Sequence, residues 1–314
     1  MSYIQIKDVV KRYHGKVSVD HLNLSIDQGE IFGLLGPNGA GKSTTIKLMT
    51  GLLPLDGGDI TIHNQSVKHS SFQVKKRIGL VPQDLAIYES LSAKENVEFF
   101  GRLYGLRGQE LQSRVKWALE FVGLSDKAKD QPKSFSGGMK RRLNIACSIT
   151  HKPELIIMDE PTVGIDPQSR NHILESVKEL NRMGSTIIYT SHYMEEVSAI
   201  CTRVGIMDQG RLIACGTHGE LREQVSHEER ILLQVSGTST QLIQAEQELK
   251  HYALIKKVIM TDSSIEIFMR TPGGDLQDIL FILSKNQVAV HSLTRVEPDL
   301  EFLFLTLTGR KLRD

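Results

Sequence analysis

The most informative segment of this chain is Gly36-Pro37-Asn38-Gly39-Ala40-Gly41-Lys42-Ser43. Its glycines and its final Lys-Ser pair follow the spacing G-x-x-x-x-G-K-[ST]. The apolar run Ile31–Leu35 before it is typical of a buried strand, and the run Thr44–Leu53 after it has the pattern of a helix. Backbone N–H groups of such a Gly-rich turn close around phosphate oxygens, and the helix N-terminus adds positive potential. The pattern therefore predicts a phosphate-binding loop between a strand and a helix.

Two side chains of this loop are expected to carry the chemistry of nucleotide binding. Lys42 would neutralise the β- and γ-phosphates, and the Ser43 hydroxyl would ligate Mg²⁺. The predicted nucleotide contacts in this segment are Gly36, Pro37, Asn38, Gly39, Ala40, Gly41, Lys42, Ser43 and Thr44.

A second motif, Leu155-Ile-Ile-Met-Asp159-Glu160, is an apolar strand that ends in two acids. Carboxylates at the carboxyl end of a strand lie at the crevice where α/β folds bind their ligands. We expect Asp159 to hold Mg²⁺, directly or through water, and Glu160 to act as the general base that polarises an attacking water.

The third motif is Ser136-Gly137-Gly138, which precedes a run with apolar residues at 139, 143 and 146. This spacing predicts a helix with Ser-Gly-Gly at its N-terminus, which is a second place built to hold an anion. One nucleotide in one chain cannot easily use two separate γ-phosphate cradles. We therefore predict a head-to-tail pair of chains, in which each chain completes the nucleotide site of the other.

The first 220 residues alternate strand-like and helix-like patterns, as is typical of an α/β fold. The predicted strands are Ile4–Val9, Ile31–Leu35, Gly58–His63, Arg77–Val81, Leu155–Met158, Thr186–Thr190 and Arg203–Met207. Several of these are short apolar runs, which indicate strands buried on both faces of a mostly parallel sheet. Residues 84–135 break the alternation and predict a helical insertion, with helices over Ala93–Leu103 and Gly108–Val122.

Residues 221–314 show a different spacing of apolar residues, which predicts a small second domain. Alternating apolar residues mark strands, and apolar residues at helical spacing lie between them. The resulting order, βαββαβ, is typical of a ferredoxin-like α+β domain. A further short helix is expected over Asp299–Gly309.

Composition narrows the classes of function. The chain has 314 residues, 38 Lys and Arg against 37 Asp and Glu, and a net charge of +1, which argues against a dedicated nucleic-acid binder. No apolar run has the length of a membrane span, the start shows no secretory segment, and the three cysteines have no metal spacing. We expect a soluble intracellular protein. The basic run Lys140-Arg-Arg142 is interpreted as a solvated face of a helix.

Taken together, the motifs resemble those of the ATP-binding cassette (ABC) ATPases, over about residues 2–220. Gly36–Thr44 is similar to the Walker A motif, and Leu155–Glu160 is similar to Walker B. The segment Phe135-Ser-Gly-Gly-Met139 resembles the family signature Leu-Ser-Gly-Gly-Gln, with Phe for Leu and Met for Gln. Methionine cannot supply the hydrogen bonds of a glutamine amide.

The resemblance implies roles for further residues. Gln83 matches the Q-loop glutamine, which senses Mg²⁺ or water and connects to the membrane subunit. Asp166, in Gly164-Ile-Asp166, resembles the D-loop residue, and His192 matches the switch histidine that contacts the γ-phosphate. Tyr13 matches the aromatic residue that stacks on adenine, where its ring would supply an apolar face.

Within the family, Phe-Ser-Gly-Gly-Met-Lys-Arg-Arg and the added C-terminal domain resemble the ATPase subunits of ABC-2 type drug exporters, such as the daunorubicin and linearmycin resistance systems. This implies a motor at the cytoplasmic face of the cell membrane. It would work with a separate transmembrane permease as a homodimer, or as a heterodimer with a related ATPase, and without nucleic acid. The alternatives are a soluble ABC ATPase that acts on ribosomes or DNA and the motor of an ABC importer.

Overall fold

The computed structural model describes residues 2–225, 229–261, 263–269, 276–296 and 303–304. The chain divides into two compact units, of which the first ends at His218 and the second begins at Gly219, close to the predicted boundary after residue 220. The predicted helix over Asp299–Gly309 lies outside the described residues, apart from the buried pair at 303–304.

The first unit contains two β-sheets and the helices between their strands. Its strands are β1 (Ser2–Tyr13), β2 (Lys16–Asp27), β3 (Ile31–Leu35), β4 (Gly57–Ile62), β5 (Gln65–Ser66), β6 (Ile78–Val81), β7 (Leu155–Asp159), β8 (Thr186–Thr190), β9 (Arg203–Asp208) and β10 (Arg211–Gly216). Its helices are α1 (Lys42–Met49), α2 (Ser71–Lys76), α3 (Ala93–Leu103), α4 (Gly108–Phe121), α5 (Gly137–Ile149), α6 (Pro167–Arg182) and α7 (Met194–Ile200). Helix α8 (His218–Val225) follows.

The larger sheet has the order β10-β9-β3-β8-β7-β6 and is parallel except for the β9–β10 hairpin. Strands β3, β7 and β8 are buried along their whole lengths, as expected for strands covered on both faces. Because these three strands are neighbours and parallel, their carboxyl ends meet at one edge of the sheet. The phosphate-binding loop and the Walker B acids both follow strands at that edge.

The smaller sheet, β2-β1-β4-β5, is antiparallel and corrects the predicted strand assignment. The strands predicted over Ile4–Val9 and Gly58–His63 lie in this second sheet, which was not itself predicted. Strand β2 was not predicted at all, although Leu22, Leu24 and Ile26 alternate with polar residues and are buried. The alternation fits a sheet with one covered face and one solvated face.

The predicted helical insertion is confirmed. Residues 84–135 are described throughout and contain helices but no strand. Helix α3 begins at a capping box, in which the Ser92 side chain accepts from the backbone N–H of Glu95, and the Glu95 side chain accepts from Ser92. Helix α5 begins directly after Ser136, as the signature spacing predicts.

The second unit has the predicted βαββαβ order. Its elements are β11 (Glu229–Ser236), α9 (Ser239–His251), β12 (Ile255–Met260), β13 (Ser264–Met269), α10 (Leu276–Lys285) and β14 (Ala289–Val296). The sheet order is β12-β13-β11-β14, with every pairing antiparallel, which is the ferredoxin-like arrangement. The alternating residues Ile231, Leu233 and Val235 are buried in its core.

A half-buried histidine just past the end of α5 joins this region to the insertion. His151 stacks on Tyr104, with ring centroids 3.5 Å apart and 6° between the planes. The ring nitrogen Nε2 of His151 and the hydroxyl of Tyr104 both donate to the carbonyl oxygen of Ile78. Burial lowers the pKa of His151 to about 4, and its hydrogen bond to Ile78 opposes this shift only in part.

This shift predicts that acid weakens the first unit through His151. The unfolded chain takes up a proton below its ordinary pKa of 6.5, whereas the folded ring stays neutral down to about pH 4. Stability is therefore full above that ordinary value and falls as the pH drops below it. Between about pH 7.5 and about pH 5, the wild type should lose about 2 kcal/mol more than His151→Phe, which keeps an aromatic ring against Tyr104.

Denaturant unfolding, followed by fluorescence of the single tryptophan, Trp117 in α4, measures this difference. The exposed His172 on α6 provides the matched control, since His172→Phe should leave the acid sensitivity unchanged. Equal acid sensitivity in wild type and His151→Phe would contradict the assignment.

Candidate active site

The phosphate-binding loop runs from the end of β3 to the start of α1. Gly41 immediately precedes α1 with φ of 105°, a backbone conformation that L side chains rarely adopt. A Cβ added there would also lie 2.6 Å from the carbonyl oxygen of Ser18 on β2. The second glycine of the motif is therefore required both by its backbone angle and by the close approach of β2.

The loop already holds its lysine in place. Lys42 Nζ donates to the carbonyl oxygens of Gly36 at 2.7 Å and Pro37 at 3.3 Å, and lies 3.6 Å from Glu160 Oε1. Burial lowers the pKa of Lys42, while the carboxylates of Glu160 and Asp159 act to raise it. The ammonium group is thus largely removed from water and faces two acids.

Thr190 holds the two Walker B acids from the neighbouring strand. Its Oγ1 donates to Asp159 Oδ1 at 2.8 Å and accepts from the backbone N–H of Glu160 at 2.9 Å. Glu160 has a positive φ of 46°, so the chain turns sharply as it leaves β7. Sequence reasoning missed Thr190, although its position at the end of a buried parallel strand was visible.

Side chains from three other segments converge on Glu160. Lys42 reaches Oε1, while Gln83 Nε2 lies 3.5 Å and His192 Nδ1 lies 3.4 Å from Oε2. The structure therefore brings together the predicted residues Lys42, Gln83, Asp159, Glu160 and His192. Glu160 as a residue is only 7% exposed.

A buried carboxylate behind His192 was not predicted. Glu196 Oε2 accepts hydrogen bonds from Thr162 at 2.7 Å, Tyr189 at 2.8 Å and Ser191 at 3.0 Å. Ser191 precedes the switch histidine, and Thr162 follows the Walker B acids. Through these hydrogen bonds, Glu196 links the segment that carries Glu160 to the segment that carries His192.

Ser136 and Asp166 both serve as helix N-caps. Ser136 Oγ accepts from the backbone N–H of Met139 at 3.2 Å, and Asp166 Oδ1 accepts from that of Ser169 at 2.9 Å. The bond from Ser169 lowers the pKa of Asp166. Among the described residues, neither side chain bonds to the cluster around Glu160. Gly138 packs against Ser169 so closely that a Cβ there would overlap the serine side chain.

Tyr13 lies apart from the Glu160 cluster but beside the phosphate-binding loop. It is 40% exposed and lines an open pocket of about 650 Å³ together with Val17, Gly39 and Gly210. Gly39 belongs to the loop, so the pocket extends the phosphate cradle toward an exposed aromatic ring.

The interpretation of Lys140-Arg-Arg142 as a solvated face is wrong for its middle residue. Arg141 is 4% exposed, and its guanidinium donates to the carbonyl oxygens of Pro82 at 2.7 Å and Gln83 at 2.6 Å. Helical spacing alone gave no sign of this, because the acceptors belong to a distant loop.

A mostly parallel sheet, a Gly-rich loop at a helix N-terminus and a carboxylate pair at the end of a second strand of that sheet define a P-loop nucleotide hydrolase. The ABC transporter family matches residues 19–163. The chain belongs to the ATP-binding subunits of ABC transporters; it binds ATP and hydrolyses it. Both the resemblance and the expected fold class are confirmed.

Individual proteins support this assignment. The linearmycin resistance ATP-binding protein LnrL of Bacillus subtilis (strain 168) is 47% identical over 99% of this chain and 100% of its own length. The daunorubicin/doxorubicin resistance ATP-binding protein DrrA of Streptomyces peucetius is 35% identical over 99% of this chain and 94% of its own. A dimeric ATP-binding cassette, solved in a post-hydrolysis state with ADP and Pi, covers 68% of this chain and 98% of that one. Its TM-score is 0.63, and its sequence identity is 26%.

No helix in the described part of the chain is long and apolar enough to cross a membrane.

Replacing Thr190 with Val should slow ATP hydrolysis, because the backbone N–H of Glu160 and the Asp159 carboxylate lose their shared partner. A buried polar group left unpaired costs about 1–3 kcal/mol, so a loss of stability of that size is also expected. Thr186→Val is the matched control, since Thr186 is buried at the opposite end of β8 and accepts from Gly29. Steady-state ATPase assays should find a reduced rate only in Thr190→Val, and a wild-type rate there would contradict this role.

Proposed function

We propose that this chain is the motor of an exporter and hydrolyses Mg-ATP with Glu160 as the general base. The observation that carries the proposal is the convergence of Lys42, Gln83 and His192 on the Glu160 carboxylate. The phosphate-binding loop would place the γ-phosphate beside this carboxylate, where a water could be polarised for attack. His192 would contact the γ-phosphate from the side opposite the loop.

The residues present fit a magnesium ion. The Ser43 hydroxyl, the Asp159 carboxylate and the Gln83 amide supply the oxygen ligands that Mg²⁺ prefers. Thr190 bonds to Oδ1 of Asp159, which leaves Oδ2 for a cation or its water. When bound, the ion would neutralise charge on the β- and γ-phosphates. Lys42, which already lies over the loop carbonyls, would take the remaining phosphate charge.

The rest of the nucleotide would extend along the loop toward Tyr13. The open pocket joins the Tyr13 ring to Gly39, and an exposed aromatic face is suited to stacking on adenine. The backbone of residues 36–44 would surround the phosphates between these two ends.

Replacing Glu160 with Gln should lower the ATPase rate by roughly 10²–10⁴-fold, because an amide cannot accept the proton of the attacking water. ATP affinity should stay within about twofold of wild type, since the phosphate cradle is intact. Glu154→Gln provides the control, because Glu154 lies just before β7 and bonds to Arg77 at the other end of the strand. Normal turnover in Glu160→Gln would exclude the general base.

We also propose that two chains share each nucleotide. Ser136 and Gly137 are exposed at the N-terminus of α5, where backbone amides can bind an anion. In the dimer, Ser136, Gly137 and Gly138 of one chain would face the γ-phosphate held by Lys42 and Ser43 of the other, with Asp166 at the junction. The dimeric cassette with ADP and Pi supports this arrangement, and the partner is a second copy or a related ATPase.

Mixed dimers test the sharing. Ser136→Arg places a bulky cation at the signature of the chain that carries it, and Lys42→Ala removes the phosphate contact of that chain's loop. If each site is formed by the loop of one chain and the signature of the other, a dimer with both changes in one chain has two defective sites. A dimer with one change in each chain then keeps one intact site. ATPase rates of tagged, co-purified dimers distinguish the two arrangements, and equal rates would contradict sharing.

The transport pathway would belong to a separate permease. Leu85, Tyr88 and Phe99 are exposed near the Q-loop, and Tyr88 and Phe99 form an edge-to-face pair with centroids 5.0 Å apart. These apolar side chains support docking of the membrane subunit on residues 83–95, at the cytoplasmic face of the membrane. The resistance proteins LnrL and DrrA support a drug, antibiotic or lipid-like compound as the cargo. Residues 221–314 would form an accessory domain.

A further inference from the structure

One face of α5 holds the segment that contains the Q-loop glutamine. Arg141, Asn144 and Ser148 have the spacing of neighbouring turns on one side of a helix. Ser148 Oγ donates to the carbonyl oxygen of Leu80 at 2.7 Å, and Asn144 Oδ1 accepts from the backbone N–H of Ala86 at 3.3 Å. Arg141 binds the stretch of backbone that lies between Leu80 and Ala86.

Arg141 makes the strongest of these attachments. Its two terminal nitrogens donate to the consecutive carbonyl oxygens of Pro82 and Gln83, at 2.7 and 2.6 Å. A planar guanidinium can span two such acceptors at once, whereas a lysine ammonium is a single point donor on a flexible stem. Arg141 is buried, which lowers the pKa of its guanidinium, and the nearby Asp84 acts to raise it.

We propose that Arg141 is a positioning residue for ATP hydrolysis. By fixing the carbonyls of the peptide bonds before and after Gln83, it sets the Gln83 side-chain amide 3.5 Å from Glu160 Oε2. The same helix begins at Ser136, so an anion bound there would be connected to Gln83 through one continuous element. This inference rests on the proposed roles of Gln83 and Glu160, and it adds the residue that places one against the other.

A double-mutant cycle between Arg141 and Gln83 tests the proposal. Arg141→Met retains the length and the apolar packing of the side chain but removes both donors. The ATPase kcat and KM are measured for the full chain as Arg141→Met, Gln83→Ala and the double variant, with ATP affinity from equilibrium binding. Arg142→Met is the matched control, because Arg142 also donates to two consecutive carbonyls, those of Val122 and Gly123 at the end of α4.

A positioning role predicts that Arg141→Met lowers kcat by roughly 10–100-fold while ATP affinity changes by less than about twofold. Because Arg141 acts through Gln83, the double variant should be no slower than Gln83→Ala alone. Arg142→Met should keep a kcat near wild type even if its melting temperature falls as far as that of Arg141→Met. Arg141→Lys should remain slow, since one ammonium cannot hold both carbonyls, and it replaces Arg141→Met in the cycle if that variant does not fold.

A wild-type kcat in either Arg141 variant would overturn the proposal, and so would effects of Arg141 and Gln83 that multiply in the double variant. Failure of the proposed function would give a different experimental result. If Glu160→Gln hydrolyses ATP normally, the general-base assignment is wrong. If Glu160→Gln is inactive while the Arg141 and Gln83 effects multiply, only the positioning role is refuted.

Discussion

A carboxylate taken out of water needs cations or hydrogen-bond donors beside it, and this constraint shapes the site. Glu160 meets Lys42 across 3.6 Å, although one follows β7 and the other opens the helix after β3. Such a pair requires both strands in one sheet and in a fixed register. Thr190 supplies the link, because β8 pairs it with Leu34 on one side and with Asp159 on the other. The sheet order therefore determines which charges can meet.

The same balance of charge gives a physical reason why two chains that share nucleotides, as proposed above, would close around them. A bound triphosphate would add negative charge next to Asp159 and Glu160, where Lys42 is the buried cation already present. Magnesium and the N-terminus of a partner's α5 would both offset this charge. The nucleotide would prefer the closed pair because only there would all of its phosphate contacts be made, which is how binding energy shifts a conformational equilibrium. Hydrolysis would remove that preference.

The sequence was sufficient for the parts of the fold that depend on local patterns. The phosphate-binding loop, the Walker B strand, the helical insertion and the βαββαβ unit all follow from spacing and periodicity. Pairing between distant strands does not, which is why the separate antiparallel sheet that contains β1 and β4 was not predicted. Thr190, Glu196 and Arg141 were missed for the same reason, since each acquires its role from partners that only the folded sheet brings near. Taken alone, a glutamate or an arginine suggests exposure to solvent, and a threonine suggests a position within a strand.

Stability alone does not account for the attachment between α5 and the Q-loop, because this attachment leaves buried polar atoms unsatisfied. Within the described residues, Arg141 Nε and Asn144 Nδ2 have no hydrogen-bond partner. An apolar interface would avoid that cost and could hold the two elements together by burial. Hydrogen bonds to backbone carbonyls add what apolar contact lacks, which is a fixed direction for the peptide that carries Gln83. A helix that starts at the signature and makes directional bonds along its length to the Q-loop segment can transmit a displacement instead of absorbing it.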